Sequence, residues 1–217
     1  MTSAASGKTA EHRRRFQPSR EWIAARLTRE PFKPLPEDTH ICPIPDGARI
    51  MFAAVLVPLV FRAEGLNVLL TQRTAHLNDH PSQISFPGGR VENTDKDRIE
   101  TALRETEEEI GLARERIEII GALPDHEMPS GFRITPVVGW IVPPFESRLD
   151  PFEVSDVFEV PLSFFLYSAN YQRRHYRFNG RDRDYLATPY GGRYIWGATA
   201  AMLYSFFRQL MDEPAES

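Results

Sequence analysis

Only one of the 217 residues is a cysteine, Cys42, so the chain cannot close an internal disulfide, and a cysteine-rich zinc site is excluded as well. No apolar run approaches the roughly 18 residues that a membrane-spanning helix requires, and the N-terminal stretch lacks the apolar centre of a secretory signal. Basic charge is also in short supply: 26 Lys and Arg against 30 Asp and Glu give a formal net charge of -4, which argues against a nucleic-acid backbone as partner. The expectation is a cytoplasmic protein with neither membrane nor nucleic acid as partner. Arg13, Arg14, Arg15 and Arg20 stand among few acids and keep organelle targeting open as an alternative. Core-forming material is plentiful. Hydrophobic residues make up 41% of the chain and charged residues 26%, and the length suits one globular domain with extensions rather than two.

Residues 1–40 read as an arm with a short helix, residues 41–212 as the folded domain and residues 213–217 as a tail. Residues 1–18 are rich in Ser, Thr, Ala and Arg and carry too little apolar surface to fold alone. Ser19 is placed to cap a short helix whose Trp22, Ile23 and Leu27 share one side. Pro31, Pro34, Pro36, Pro43 and Pro45 then forbid regular structure. Residues 50–61 are an apolar run expected as a buried strand, and residues 66–73 follow across Ala63, Glu64 and Gly65 as its hairpin partner. Residues 117–123 and 134–142 are further strands, the second carrying Pro136, which predicts an edge or a bulge. Between the two pairs lies a helix over 95–111, with Thr94 and Asp97 as a capping pair and Gly111 ending it in the left-handed conformation. A helix after Pro161, a basic hairpin over 171–185 and a closing helix over 197–211 complete an alternation that predicts an α/β fold.

The helix over 95–111 is the segment with chemical character. At about 100° per residue, Glu105, Glu108 and Glu109 fall on one face, while Ile99, Leu103, Thr106 and Ile110 gather on an adjacent face suited to docking on a sheet. Glu107 points elsewhere, to solvent. Carboxylates at this spacing repel one another by about a few tenths of a kcal/mol per pair. A hard divalent cation would compensate, because magnesium and manganese prefer oxygen ligands and accept carboxylates together with substrate phosphates. Arg104 is placed to neutralise or orient one of the acids. A solvated acidic face is the ordinary alternative for a Glu-rich helix.

The segment over 86–112, FPGGRVENTDKDRIETALRETEEEIGL, favours the cation. It resembles the Nudix box, G-x5-E-x7-R-E-U-x-E-E-x-G-U with U apolar. Gly89 opens it, and Arg104, Glu105, Glu108, Glu109, Gly111 and Leu112 complete it. Two departures are visible. Thr106 replaces an apolar residue, and the stretch from Gly89 to Arg104 is one residue longer than usual, so that Asp95 stands six residues after Gly89 while Lys96 stands eight before Arg104. The early acid is therefore kept out of the metal set. The resemblance implies a Nudix-type α/β/α sandwich with a mixed β-sheet, in which Glu105, Glu108 and Glu109, joined by a backbone carbonyl at Gly88 or Gly89, bind Mg2+ or Mn2+. It also implies catalytic roles for Glu105 as base, for Arg104 beside it, and for Glu153 in the later segment DPFEVSDVFEVPL as ligand or base. A plain loop acid is the alternative for Glu153.

Beyond the box, LLTQR (69–73), FPGG (86–89), TPVVG (135–139), FEVPL (158–162) and IWG (195–197) resemble the coenzyme A pyrophosphatases, whose upstream signature is LLTxR(S/A)x3Rx3Gx3FPGG. Thr74, Asn78 and Ser82 stand where that signature has Ser or Ala, Arg and Gly. An amide at 78 cannot fork onto a phosphate as a guanidinium does. Arg73, or the basic group Arg173, Arg174, His175, Arg177, Arg181 and Arg183, could substitute, although a solvated basic hairpin is the plainer reading of that group. The resemblance implies a small-molecule substrate, coenzyme A or a related nucleotide, contacted by Arg73 and Gly88, and it is compatible with a homodimer. Hydrolysis of ADP-ribose or a dinucleotide, and a catalytically silent binding module, are the competing expectations. The sequence marks no catalytic pairing for His126 or His175, and both are expected to be structural or at the surface. Trp140 and Trp196 are expected in the core, with stacking on adenine as the alternative.

Overall fold

Ser19 Oγ accepts a hydrogen bond from the Trp22 backbone N–H (3.2 Å) and so opens α1 (Arg20–Leu27), whose Ile23 is fully buried with Trp22 and Leu27 packed beside it. In this computed structural model the described residues are 17–29, 44, 46–76, 81–178 and 181–211. The arm before Gln17, the proline-rich stretch apart from Ile44, and Asn78 lie outside them.

The long apolar run forms β1 (Met51–Arg62) and turns directly into β2 (Gly65–Arg73), pairing Leu59 with Val68. Then come β3 (Ile84–Ser85), β4 (Gly88–Arg90), α2 (Arg98–Ile110), β5 (Ile117–Ala122), β6 (His126–Glu127), β7 (Phe132–Ile141) and β8 (Val154–Pro161). The chain closes with α3 (Leu162–Phe165), β9 (Gln172–Phe178), β10 (Arg181–Ala187) and α4 (Ala198–Met211). One mixed sheet has the order β3-β2-β1-β7-β5, with β4 added to β1, β6 to β7 and β8 to β2, while β9 and β10 form a separate hairpin. β1 and β7 run parallel from the Met51–Phe132 pair to the Val60–Ile141 pair. Both faces of β1 are covered, which is why its sequence is almost continuously apolar. Val57 and Leu59 enter the core shared with α1, α3 and α4, and Ala54, Leu56 and Val60 enter the core shared with α2. The result is an α/β/α sandwich around a mixed sheet, within the α/β class that the alternation of strand and helix patterns predicts and with the layering that the resemblance implies.

The structure corrects several details. α2 begins at Arg98, and its cap is Asp97 rather than Thr94: the Asp97 carboxylate accepts from the Glu100 N–H at 2.8 Å. Ile99 is 39% exposed instead of docked, because the buried side of α2 is Thr101, Ala102, Thr106, Glu109 and Ile110, a set dominated by polar residues that hydropathy does not mark. Pro136 lies in a central strand, not at an edge. Its carbonyl accepts from the Leu123 N–H (2.9 Å) in the gap between β5 and β6, so the missing proline N–H faces chain with no ladder bond to lose. The helix after Pro161 is a single turn. Trp196 is 37% exposed and leaves the core, whereas Trp140 is partly buried and stacks on Phe61 with ring centroids 6.3 Å apart.

Candidate active site

Arg104 organises the outer half of α2. Its Nε and Nη2 grip Asp95 with two bonds (2.9 and 3.0 Å), Nη2 also reaches the Arg90 carbonyl (3.1 Å), and Nη1 is shared between Glu105 (2.9 Å) and Glu108 (3.1 Å). Asp95 accepts further bonds from the Glu92 N–H (2.9 Å) and the Thr101 hydroxyl (2.8 Å). Its side chain is only 2% exposed, enclosed by these partners rather than by depth in the core. The Arg104 guanidinium, helped by those two donors, holds the Asp95 carboxyl well below the usual carboxylate range. The residue inserted between Gly89 and Arg104 thus makes room for an acid that fastens the arginine. Sequence reasoning left Asp95 without a role; its place at the mouth of a helix that carries an arginine one face further on was the available signal.

The inner half of α2 packs through small and polar groups. Thr106, at the position where an apolar residue is usual, is buried and donates its hydroxyl to the Ala102 carbonyl (2.6 Å), so the departure costs no unsatisfied group. Gly111 closes the helix at φ 65, and the last carbonyls are taken by the following loop: Arg148 N–H to Ile110 O (2.7 Å) and Asp150 N–H to Glu109 O (2.9 Å).

The three helix glutamates grade from buried to exposed. The Glu109 side chain is 4% exposed, Glu105 16% and Glu108 60%. Burial pushes the Glu109 carboxyl up to about 8, with Arg73 and the Gly88 N–H opposing and the charges of Glu153 and Glu105 assisting. Arg73 Nη1 stands 3.8 Å from Glu109 Oε1, while Glu109 Oε2 is buried without a hydrogen-bond partner. Glu105 is also raised, by burial first, against the pull of Arg104 and with the help of Glu108 and Glu153. Gly89 leaves the Glu105 carboxylate its place: a Cβ there would come within 2.4 Å of it and push it aside. β4 pairs Gly89 with Ala54 and Gly88 with Val55, so the glycine backbone lies against the central strand on one side and the acidic helix on the other.

Arg73, Gly88, Gly89, Arg104, Glu105, Glu109 and Glu153 therefore come to one place, with Glu108 at its outer rim and exposed Glu153 near enough to act electrostatically on Glu105 and Glu109. Among the described residues no three acidic or histidine side chains already close into a cage; Arg104 holds Glu105 and Glu108, and Arg73 draws on Glu109. His126 is buried, and His175 is exposed and paired with Asp184. Arg173, Arg174 and Arg177 are exposed on β9, opposite the β10 strand that carries Arg181 and Arg183. Two residues with contacts beside the site have no role assigned from the sequence: Thr74, seen there only as a departure from the signature, and Arg193, which bonds Gln72 (3.1 Å) and Asp156 (2.6 Å) beside the end of β2.

The NUDIX domain family matches residues 51–184. This chain belongs to the Nudix hydrolases. Two relatives, each called an uncharacterized Nudix hydrolase NudL, are 41% identical in Enterobacter sp. (strain 638) and 40% identical in Escherichia coli (strain K12), over 162 residues that make up 75% of this chain and 84% of each relative. Among solved structures, a C. elegans Ap4A hydrolase binary complex is 23% identical with a TM-score of 0.44, over 52% of this chain and 81% of its own. The NUDIX domain of Shewanella oneidensis NrtR complexed with ADP ribose is 22% identical with a TM-score of 0.41, over 54% and 75% respectively.

Nudix hydrolases act on nucleoside diphosphate derivatives and generally use divalent cations such as Mg2+ or Mn2+. The residues present in this Nudix hydrolase fit such an ion. The donors are all oxygen, and Glu109 Oε2 is an orphaned buried acceptor. A desolvated carboxylate beside two others is better served by a dication than by any neutral donor.

Proposed function

We propose that this Nudix hydrolase adds water across the pyrophosphate of coenzyme A or an acyl-coenzyme A, releasing 3′,5′-ADP and 4′-phosphopantetheine or its acyl form. The observation that carries this reading is the meeting of the LLTQR strand with the box: Arg73, the last residue of that strand, stands beside Glu109 and donates its backbone N–H to the Gln83 carbonyl (2.9 Å), so the upstream signature and the box share one site. Ser82 supports it too. It replaces the glycine of the signature yet adopts φ 59, the region glycine favours, so the backbone turn persists.

Glu105, Glu108 and Glu109 with the Gly89 carbonyl would hold Mg2+ or Mn2+, and the ion would polarise the diphosphate and make water more acidic. Glu105 takes the proton from the attacking water, and burial raises its carboxyl above the usual carboxylate value. Arg104 keeps Glu105 pointed at the site, Arg73 and the Gly88 N–H bind phosphate oxygens, and Glu153 adds a carboxylate from the opposite rim. Trp196 and Tyr194, both exposed, offer flat surfaces for the adenine end.

Asn78 favours a second reading, hydrolysis of ADP-ribose or a dinucleotide, because the signature arginine is missing there. Purified protein incubated with coenzyme A, acyl-coenzyme A, ADP-ribose and dinucleoside polyphosphates, each with Mg2+ and with Mn2+, separates the two. The expected result is 3′,5′-ADP from coenzyme A with the highest kcat/KM of the panel. No product from coenzyme A with either metal overturns the proposal, and a dominant value for ADP-ribose or a dinucleotide replaces it with the second reading.

A further inference from the structure

The strand that ends at Arg73 is stitched to the loop that carries Glu153. Thr74, buried, donates its hydroxyl to the Phe152 carbonyl (2.8 Å) and its backbone N–H to the Glu153 carbonyl (3.0 Å). On the other side of Glu153, the Ser155 hydroxyl points at the carbonyls of Gln72 (3.1 Å) and Arg73 (3.3 Å). β8 carries one extra residue here: Gln72 pairs with Asp156 and Arg73 with Val154, which makes Ser155 the bulged residue. Such bulges re-aim side chains beside functional sites. The far end of the same loop is fixed to the last turn of α2 by the Arg148 and Asp150 N–H groups.

Glu153 is exposed, and its charge acts on Glu105 and Glu109. An exposed loop carboxylate near other acidic groups gains by swinging away into water, and nothing in its own side chain prevents that. Hydrogen bonds to its neighbours in the chain do, because they fix the backbone from which it projects. We propose that Thr74 is a positioning residue which, with Ser155 as its counterpart, holds Glu153 against Glu105 and Glu109 so that the three carboxylates act as one donor set for a divalent cation. The proposal rests on the reading of this acidic site as a metal site, but not on which nucleotide is hydrolysed.

The test uses the full chain with Mn2+ alone, titrated by calorimetry, alongside kcat and KM on the best substrate of the panel. Thr74→Val keeps the shape of the side chain and removes the hydroxyl. It is expected to weaken Mn2+ binding and lower kcat by about 10-fold each, in the range seen when supporting partners of metal ligands are lost, with KM within about 2-fold of wild type. Thr74→Ser restores both, which a purely packing role of the threonine methyl would not. Ser155→Ala, a milder change at the counterpart position, is expected to weaken Mn2+ binding about 3-fold. In the Glu153→Gln background the Thr74→Val loss disappears, since the latch has nothing left to position. Wild-type Mn2+ affinity in Thr74→Val overturns the proposal, as does a Thr74→Val loss of full size on top of Glu153→Gln. A wild-type chain that binds no Mn2+ overturns it together with the metal-site reading. Failure of coenzyme A as substrate leaves it standing.

Discussion

α2 and α4 pack on opposite faces of the same sheet and are built in opposite ways. Of the ten residues α4 buries, seven are apolar (Ala200, Ala201, Met202, Leu203, Phe206, Phe207 and Leu210) and three are Thr199, Arg208 and Gln209; the helix has no acidic residue. Of the five residues α2 buries, only Ala102 and Ile110 are apolar; the others are two threonines and Glu109. α4 is held by apolar area removed from water, at about 25 cal/mol per Å². α2 is held at its ends and along one edge by directed bonds: Asp97 at the start, the Arg148 and Asp150 N–H groups at the finish, and the Asp95–Arg104 clamp between. A helix that must present acids to a substrate gives up the apolar contacts that would anchor it, and its position then depends on hydrogen-bond geometry. Stability and activity are thereby assigned to different helices.

Substitutions in the two helices should separate these quantities. Glu105→Gln in α2 is expected to lower kcat about a thousandfold, the scale of losing a base in a preorganised site, and to leave the melting temperature near wild type; turnover within about threefold of wild type would break the assignment. Phe206→Ala in α4 is expected to cost about 3–5 kcal/mol of unfolding free energy, read by urea denaturation, while the folded fraction keeps its kcat. Glu109→Gln is smaller and of opposite sign. Because burial raises the folded carboxyl from 4.5 to about 8, the unfolded chain ionises freely between those values while the folded one keeps its proton. Glu109 therefore makes the metal-free protein less stable as pH rises through that window, and the contribution levels off above it. Glu109→Gln is expected to flatten this slope and, at pH 8 with chelator, to raise stability by about 2 kcal/mol, roughly 4–8 °C in Tm, even as activity is lost. A melting temperature that falls at pH 8 would show that Glu109 is stabilised as an anion by partners such as Arg73.

The features legible in the sequence are those that repeat along it. The apolar run over 50–61 announced a buried strand, and the spacing of Glu105, Glu108 and Glu109 placed three acids on one face of a helix. Gly111 announced the helix end, and Ser19 the start of α1. Features that depend on two distant segments meeting were not legible. Asp95 looked like a misplaced box acid until Arg104 was seen to close on it. Thr74 looked like a neutral departure from a signature until the loop at Phe152 arrived beside it. Pro136 suggested an edge or a bulge because its missing donor is visible in sequence, whereas the gap between β5 and β6 that tolerates it is not. Hydropathy alone points Ile99 and Trp196 inward, and the structure leaves both partly in water.

The parallel pairing of β1 with β7 has a consequence for how the molecule is assembled. Met51 can meet Phe132 only after the intervening chain, including all of α2, has been drawn into place, and a pairing of such long sequence separation demands its closure entropy before it returns any contact energy. Gly89 beside Ala54 and Glu105 beside Gly89 belong to that same closure. The acidic centre is thus expected to be absent from any partly folded form and to arise together with the finished sheet, so a chain that binds metal at this centre is one that has completed its fold.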